Sequence, residues 1–570
     1  MERRVLLAVF LCFLVLYLWQ ALFVPVPAPA ARTSPTASVP PASAPGDAPP
    51  PTAAAATAVP PAASSAAPIV AATTERDIRV ETDDVIVVFT NRGARLKSWR
   101  LKHHFDGQKQ PQELVEGEAA GHPLPFSLKT ADEQANATLN SALYAVSGAL
   151  ADGTAPAASL TAPAELRFEY RDSAGLHAVK AFTLEPKAYV VTFRATVTAG
   201  ERPLPAAVVW GPALGDHIAA SNLVQGAQGL LFQNGSAVRL KGGDVSEVPT
   251  YEGNFRYAGV DDNYFMTVAL EPGPSKVTYQ AVTIAAGPTS PERVLLSYTI
   301  EPLENAGPLK FFVGPKELDV LTALDREFAS AINFGWFAVI VVPLLQSLKW
   351  VHGYVGNWGW SIVILTVIIN LVLAPLRHKQ VVSMRKMQEI QPEVKAIQDR
   401  YSKVKATDPA KQKMNQEMMA LYREKKVNPA SGCIPVLLTF PIMIAMWAAL
   451  QVSIELRGAP WFGWIKDLSA PDPWYLLPIL MVLTQFWQQH ITPMTGADPA
   501  QQKMMKFMPL ILGFIFFSLP AGALLYYVAG TLIGIGQQSL TNYLIGPPTV
   551  RAVRPPAERR VKRKESGGIG

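Results

Sequence analysis

Cysteine is nearly absent from this 570-residue chain. It has two, Cys12 and Cys433, far apart and each in or beside an apolar run. No disulfide framework is expected, and the pair reads as two membrane-packed thiols. Leu11 stands before Cys12 where lipid attachment needs a small residue, so no lipid anchor is expected. Charge is also sparse, at 17% of residues against 49% hydrophobic, which excludes a wholly disordered protein. Enzyme signatures are missing too: there is no P-loop, no G-x-S-x-G elbow and no zinc-ligand spacing. No catalytic residue, metal site or cofactor is expected. The adjacent acids Asp261 and Asp262 invite a paired-carboxylate reading, but neighbours along a strand point to opposite faces. They are expected to be solvated or turn-forming.

What the chain does have is long apolar runs. The first, VLLAVFLCFLVLYLWQALFV, follows Glu2, Arg3 and Arg4. It is longer than the usual core of a cleaved signal peptide, so residues 1–24 are expected to be an uncleaved anchor. Residues 25–74 are mostly Ala, Pro, Ser and Thr, the composition of a semi-extended tether with little to bury. The pattern then changes to period two. Tyr189, Val191, Phe193, Ala195 and Val197 alternate in YVVTFRATV, and Val85, Val87 and Phe89 alternate before the turn Asn91-Arg92-Gly93. An all-β domain of sandwich type is expected over residues 75–330.

The second half is helical and apolar. Residues 331–357 hold a short apolar core interrupted by Pro343, then Lys349, Trp350 and His352, which suits a helix lying in the membrane interface. Five apolar segments follow, at residues 358–376, 434–454, 474–487, 507–519 and 521–536. With the anchor they make six expected spans. The loop 377–430 and the tail 547–570 are rich in Lys and Arg, and both fall on the side of the N-terminal arginines. That side is the cytoplasm by the positive-inside rule, which leaves the β domain outside. Within the loop, Met387, Ile390, Val394, Ile397, Tyr401 and Val404 recur at spacings of three and four. Asp408-Pro409 and Asn428-Pro429 bracket a second helix carrying Met414, Met418 and Leu421. An antiparallel hairpin of two short helices is expected, with Pro392 kinking the first or marking its start.

Polar residues inside the spans are the candidate site. Asn370, Thr366 one turn earlier and Arg377 two turns later form a stripe descending to the cytoplasm. An amide facing lipid costs several kcal/mol, so the stripe is expected to face other helices or a wet cavity. Thr439, Gln485 with Gln488 and Gln489, Tyr526, Tyr527 and Thr531 lie at matching depth in other spans. Together they make a groove; singly, each also fits simple helix–helix hydrogen bonding. Methionines cluster on the hairpin, at Met384, Met387, Met414 and Met418, as flexible apolar contacts for varied partners or as ordinary filling. The basic tail residues Arg559, Arg560, Lys562, Arg563 and Lys564 fit ribosomal RNA, anionic lipid or a plain topology signal. The 13-residue run at 507–519 is about 20 Å long as a helix, short against roughly 30 Å of hydrocarbon, and is expected to thin the bilayer locally.

Several long motifs resemble the YidC family of membrane protein insertases. They are EMMALYREKKVNPASGCIPVLLTFPI, SIELRGAPWFGWIKDLSAPDPWYLLPIL and DPAQQKMMKFMPLILGFIFFSLPAGALLYYVAGTLIGIGQQ, within residues 336–545, with weaker matches in TNRGARLKSWRL and DDNYFMTVAL. The resemblance implies an insertase and chaperone, not an enzyme, for newly made proteins of the bacterial inner membrane, working without ATP alone or with the Sec translocon. It implies nascent membrane proteins, the ribosome and the lipid bilayer as partners, no DNA, and a periplasmic β-supersandwich domain. It also implies a groove lined by Tyr526 and Tyr527. One departure stands out: alignment on Pro375 and Gln380 puts Asn370 where the family usually carries an arginine, leaving Arg377 as a possible groove-mouth charge. From the residues alone, a solute transporter or channel and an anchored periplasmic polysaccharide-binding protein remain open as alternatives.

Overall fold

The computed structural model describes residues 67–546 except 118–120, 149–158, 188, 215–225, 248, 285–292, 304–306, 402–409, 426, 428–433, 492–509, 511–512 and 514–515. The expected anchor, nearly all of the tether, most of the 507–519 run and the basic tail lie outside the described residues.

The first half is the expected β domain. Among the described residues a 14-stranded sheet and a five-stranded sheet share one core. The main path of the larger sheet runs Pro68–Val70, Ala164–Asp172, Leu176–Leu184, Val190–Ala199, Leu309–Pro315, Phe265–Ile284, Thr250–Asp261, Gln228–Gln233 and Ser236–Leu240. Its first strand lies within the stretch expected to be tether and pairs antiparallel with Ala164–Asp172, so the ordered domain starts earlier than composition suggests. Alternation places side chains as expected: Val85, Val87, Phe89, Val191 and Phe193 are buried, while Ala195 is half-buried. Phe89 of the smaller sheet meets Phe182 of the larger one at 4.6 Å between ring centroids. Two short helices, α1 (Glu133–Ser141) and α2 (Gly242–Glu247), interrupt the all-β pattern.

Two charged groups inside this domain are not visible as such in the sequence. Lys180 is fully buried, and its Nζ donates to the carbonyls of Gly93 (2.6 Å), Phe126 (2.8 Å) and Ala94 (3.3 Å). Burial, with nearby Arg95, pushes its ammonium well below the usual lysine range. Gly93 serves this turn at φ +69°, where a Cβ would stand 2.5 Å from the Asn140 carbonyl oxygen. Asp261, expected to be solvated or turn-forming, is instead buried in an ion pair with Lys316 at 2.7 Å. Alternation turned it inward, and Lys316 supplies the charge that makes burial tolerable. Asp262 does form the turn, accepting from the backbone N–H of Tyr264 and Phe265, both at 2.7 Å.

Helix α3 (Leu318–Leu324) leads from the β domain to the helical half. There follow α4 (Ala338–Val355), α5 (Trp358–Arg400), α6 (Ala410–Glu424), α7 (Ile434–Val452), α8 (Leu476–Ile491) and α9 (Ala521–Ile545). Helix α4 runs unbroken through Pro343 and ends at Gly356, φ +69°. Asn357 then caps α5, its Oδ1 accepting from Trp360 N at 3.1 Å. Among the described residues, α4 and α5 are long and apolar enough to cross a membrane.

The hairpin differs from expectation in one respect. Its first helix is not separate and short: α5 is 43 residues, about 65 Å, and carries the span directly into the hairpin through Pro375 and Pro392. Each proline removes one helix hydrogen bond, a local loss that good helix-forming residues on both sides outweigh. The heptad seam forms as expected. Ile390, Val394 and Ile397 pack with Leu421 and Val427, flanked by Met387, Tyr401, Met414 and Met418. Tyr401 donates to Glu417 at 2.7 Å, and Lys425 pairs with Glu393 at 3.3 Å. Val404 and the expected cap at residues 408–409 fall outside the described residues.

Candidate functional site

The polar stripe of α5 points inward. Ser361, Thr366 and Asn370 are buried, whereas Ile364, Val367, Ile368, Leu371 and Val372 on the other face are exposed. A soluble helix would invert this arrangement; a helix with lipid on one side requires it. Thr366 Oγ1 donates to the Ile362 carbonyl at 2.6 Å, and Asn370 Nδ2 donates to the Thr366 carbonyl at 2.7 Å. Asn370 Oδ1 is buried and accepts no hydrogen bond among the described residues. A buried acceptor left so is costly unless water or a passing donor reaches it.

Helix α9 faces this stripe with glycines. A Cβ on Gly530 would lie 3.6 Å from Thr366 Cγ2, and one on Gly534 would lie 3.1 Å from both Arg377 Nη1 and Gln488 Nε2. The missing side chains make the notch that the Arg377 guanidinium and the Gln488 amide enter. Gln537, one turn below Gly534, donates to the Asn370 backbone carbonyl at 3.1 Å and accepts from Arg377 at 3.5 Å. Nearer the helix end, Arg385 holds Asn542 Oδ1 at 3.0 Å, and His378 meets Thr541 at 3.5 Å. Arg377 is thus half-buried and turned toward α9.

The other expected residues are placed as follows. Tyr526 and Tyr527 stand together on α9, ring centroids 5.3 Å apart, packed on the bundle core. Gln485 is half-buried on α8; Gln488, one turn on, is the α8 amide that reaches the notch. Thr439 lies in the part of α7 whose side chains are outside the described residues. Met387, Met414 and Met418 line the hairpin seam half-buried, and Met384 Sδ accepts from Gln380 at 4.0 Å. Sequence reasoning missed Gly530, Gly534 and Gln537. The G-x-x-x-G spacing in GTLIG was a readable sign of close helix approach. No cluster of metal ligands occurs among the described residues.

At the end of the bundle nearest the β domain, aromatic rings gather: Trp464 stacks on Trp474 at 5.4 Å, Trp360 meets Trp461 at 5.6 Å, and Trp350 meets Tyr354 at 5.0 Å. Such belts mark a membrane–water boundary. Fold and polar stripe together define an integral membrane protein that carries a β domain on one end and a helical hairpin on the other, with polar side chains meeting between its helices.

The family model described as 60Kd inner membrane protein matches residues 350–546, and that of the YidC periplasmic domain matches residues 77–347. A membrane protein insertase YidC of Pelobacter propionicus is 33% identical over 560 residues, covering 96% of this chain and all of the relative. One from Geotalea daltonii is 30% identical over 556 residues, covering 95% and 99%. An active YidC insertase crystal structure with its first transmembrane domain resolved superposes with a TM-score of 0.34 at 21% identity, covering 84% of this chain and 95% of that one. The chain belongs to the YidC family of membrane protein insertases. It is accordingly an inner-membrane insertase with a periplasmic β domain, and not an enzyme.

Proposed function

We propose that this insertase shelters the polar flank of a client segment in the cleft between α5, α8 and α9, while the segment's apolar part passes into lipid beside α5 and α7. The observation that carries this is the buried Asn370 Oδ1, which accepts no hydrogen bond among the described residues, on the same helix face as the Arg377 guanidinium that enters the Gly534 notch. The amide keeps the cleft wet and offers an acceptor to client backbone N–H groups. Arg377 supplies the positive charge from two turns lower than the family's usual position. Thr366, Gln485, Tyr526 and Tyr527 are assigned to the same cleft; Thr439, expected there from the sequence, lies outside the described side chains. The hairpin methionines Met384, Met387, Met414 and Met418 receive the emerging apolar segment. Burial of about 20 apolar residues drives the transfer at about 0.8 kcal/mol per CH₂, with no nucleotide required.

The topology follows from charge. Six spans put both termini and the α5–α6 hairpin in the cytoplasm, with the β-supersandwich domain in the periplasm. Helix α4 lies in the periplasmic interface although it is long enough to span. Its Lys349 pairs with Asp319 and Glu455, and its Val341 and Leu345 belong to the apolar core of the β domain. The basic tail, with Arg559, Arg560, Lys562, Arg563 and Lys564, suits the ribosome, and cooperation with the Sec translocon suits a cleft open to lipid.

The test is insertion of a short single-span client into liposomes, scored by protease protection. Empty vesicles, wild type, Asn370→Leu and Asn370→Arg are compared. Wild type is expected to exceed empty vesicles, and Asn370→Leu to fall toward them while Asn370→Arg retains activity. Equal insertion by wild type and Asn370→Leu would reduce Asn370 to packing.

A further inference from the structure

The short turn after α7 joins every part of the periplasmic side. Ile454, buried, belongs to the apolar core that runs through the β domain; Leu456, also buried, belongs to the bundle core with Ile362, Met446 and Leu524. Between them Glu455 meets Lys349 Nζ of α4 at 2.6 Å, and the same ammonium meets Asp319 at 2.7 Å and Glu317 at 3.6 Å at the start of α3. Arg457 donates to Gln112 Oε1 of the smaller sheet at 2.9 Å. Its guanidinium lies over the rings of Phe265 (4.9 Å) and Tyr264 (5.7 Å) in the turn that Asp262 forms. In that turn Asn263 Nδ2 donates to the carbonyl of Gln451 at 3.0 Å, one of the last α7 carbonyls, which have no partner within the helix.

The two flanking helices carry the connection further. Ala445 and Ala449 of α7, and Val341 and Leu345 of α4, are buried in the same apolar cluster as the β-domain strands. Four consecutive residues, Ile454 to Arg457, therefore address three bodies in turn: the β-domain core, α4, the bundle core and again the β domain. A surface ion pair contributes little, but Glu455 and Lys349 are 13% and 19% exposed, and a planar guanidinium stacked on two rings is directional.

We infer that Glu455 and Arg457 are positioning residues for insertion: they fix α7, one wall of the client path, to the β domain and α4. The β domain then acts as a buttress that sets where α7 stands relative to α5 and α9. This rests on the insertase reading, and makes no contact with the client itself.

The full-length protein, reconstituted in liposomes, is tested with a single-span client at varied concentration. A pair of spin labels, one on the β domain and one on α9, reports the distance between them. Glu455→Gln and Arg457→Ala are expected to lower the maximal insertion rate roughly fivefold or more, leave the half-maximal client concentration unchanged and broaden the label distance. Arg457→Lys, which keeps the charge but loses the planar fork, should fall between. Wild-type rate and distance in folded Glu455→Gln and Arg457→Ala would overturn the proposal. So would a raised half-maximal concentration at unchanged maximal rate, which would make these residues client contacts. If Arg457→Ala does not accumulate, Arg457→Lys and Gln112→Ala are judged by the same criterion. If wild type inserts no better than empty vesicles, the groove mechanism fails, and the label distance alone decides the buttress: broadened supports it, unchanged overturns it.

Discussion

Gln537 of α9 donates its side-chain amide to the backbone carbonyl of Asn370 on α5 at 3.1 Å, while its own Oε1 accepts from Arg377 at 3.5 Å. One amide therefore ties the polar stripe of α5 to the helix that carries the tyrosine pair. Replacing it by Gln537→Leu removes both bonds at once and releases the guanidinium. Insertion of a single-span client is expected to drop several-fold, with Gln537→Asn less affected. An unchanged protease-protected fraction would show that Arg377 needs no such guide.

Gly534 leaves room that any side chain would take. A Cβ there already stands 3.1 Å from both Arg377 and Gln488, so Gly534→Leu must expel one of them. Insertion is expected to fall by about tenfold, since a displaced positive charge near lipid is costly and the notch is filled. Gly536 is the control: a Cβ placed there has no neighbour within 4 Å, so Gly536→Ala should insert normally. Equal rates in both variants would argue against the notch.

Proteolysis tests the hairpin seam. Ile397 is buried between α5 and α6 near Leu421. Ile397→Asp places an unpaired carboxylate in that seam and should separate the helices, giving trypsin access to the lysines around residues 411–425 at least several times faster. A conservative Ile397→Val costs about 0.5–1.5 kcal/mol and should leave the digestion pattern nearly intact.

Acidity acts on the β domain through His104. Burial, then the charges of Arg457 and His103, push its imidazole down to about 4, against the opposing pull of Glu455. Below about pH 6.5 the unfolded chain binds a proton that the folded chain refuses. The stability that depends on a neutral His104 is therefore whole above about pH 7 and declines as pH falls toward 4. Thermal unfolding of the full-length protein at pH 7.5, 6.0 and 5.0 should show the decline, and His104→Gln should flatten part of it. Parallel pH profiles for the two proteins would remove His104 from the account.

Asp261 and Lys316 test the buried pair. Removing one partner strands the other, so Asp261→Ala should destabilise by about 3–5 kcal/mol, seen as a lowered unfolding temperature. Adding Lys316→Met should recover part of the loss, because only Arg239, 3.6 Å from the Asp261 carboxylate and 16% exposed, is then left without its partner. A single variant as stable as wild type would mean that water reaches Lys316.

Much of this protein was readable without coordinates. Period-two alternation named the inward side chains Val85, Val87, Phe89, Val191 and Phe193, because a strand has only two faces and one of them must be dry. The heptad spacing named Ile390, Val394 and Ile397, and apolar length with an inward amide named the α5 stripe, for the same reason: local geometry fixes which residues share a face. Tertiary structure alone decided the rest. Whether α5 stops at the membrane or continues into the hairpin depends on energies on both sides of Pro375 and Pro392 that spacing does not report. That Asp261 finds Lys316, that Gly534 admits Arg377 and Gln488, and that Glu455 meets Lys349 are encounters between residues far apart in the chain. Periodicity orients a side chain relative to its own element; only packing between elements selects its partner, because that choice depends on distances the sequence does not contain.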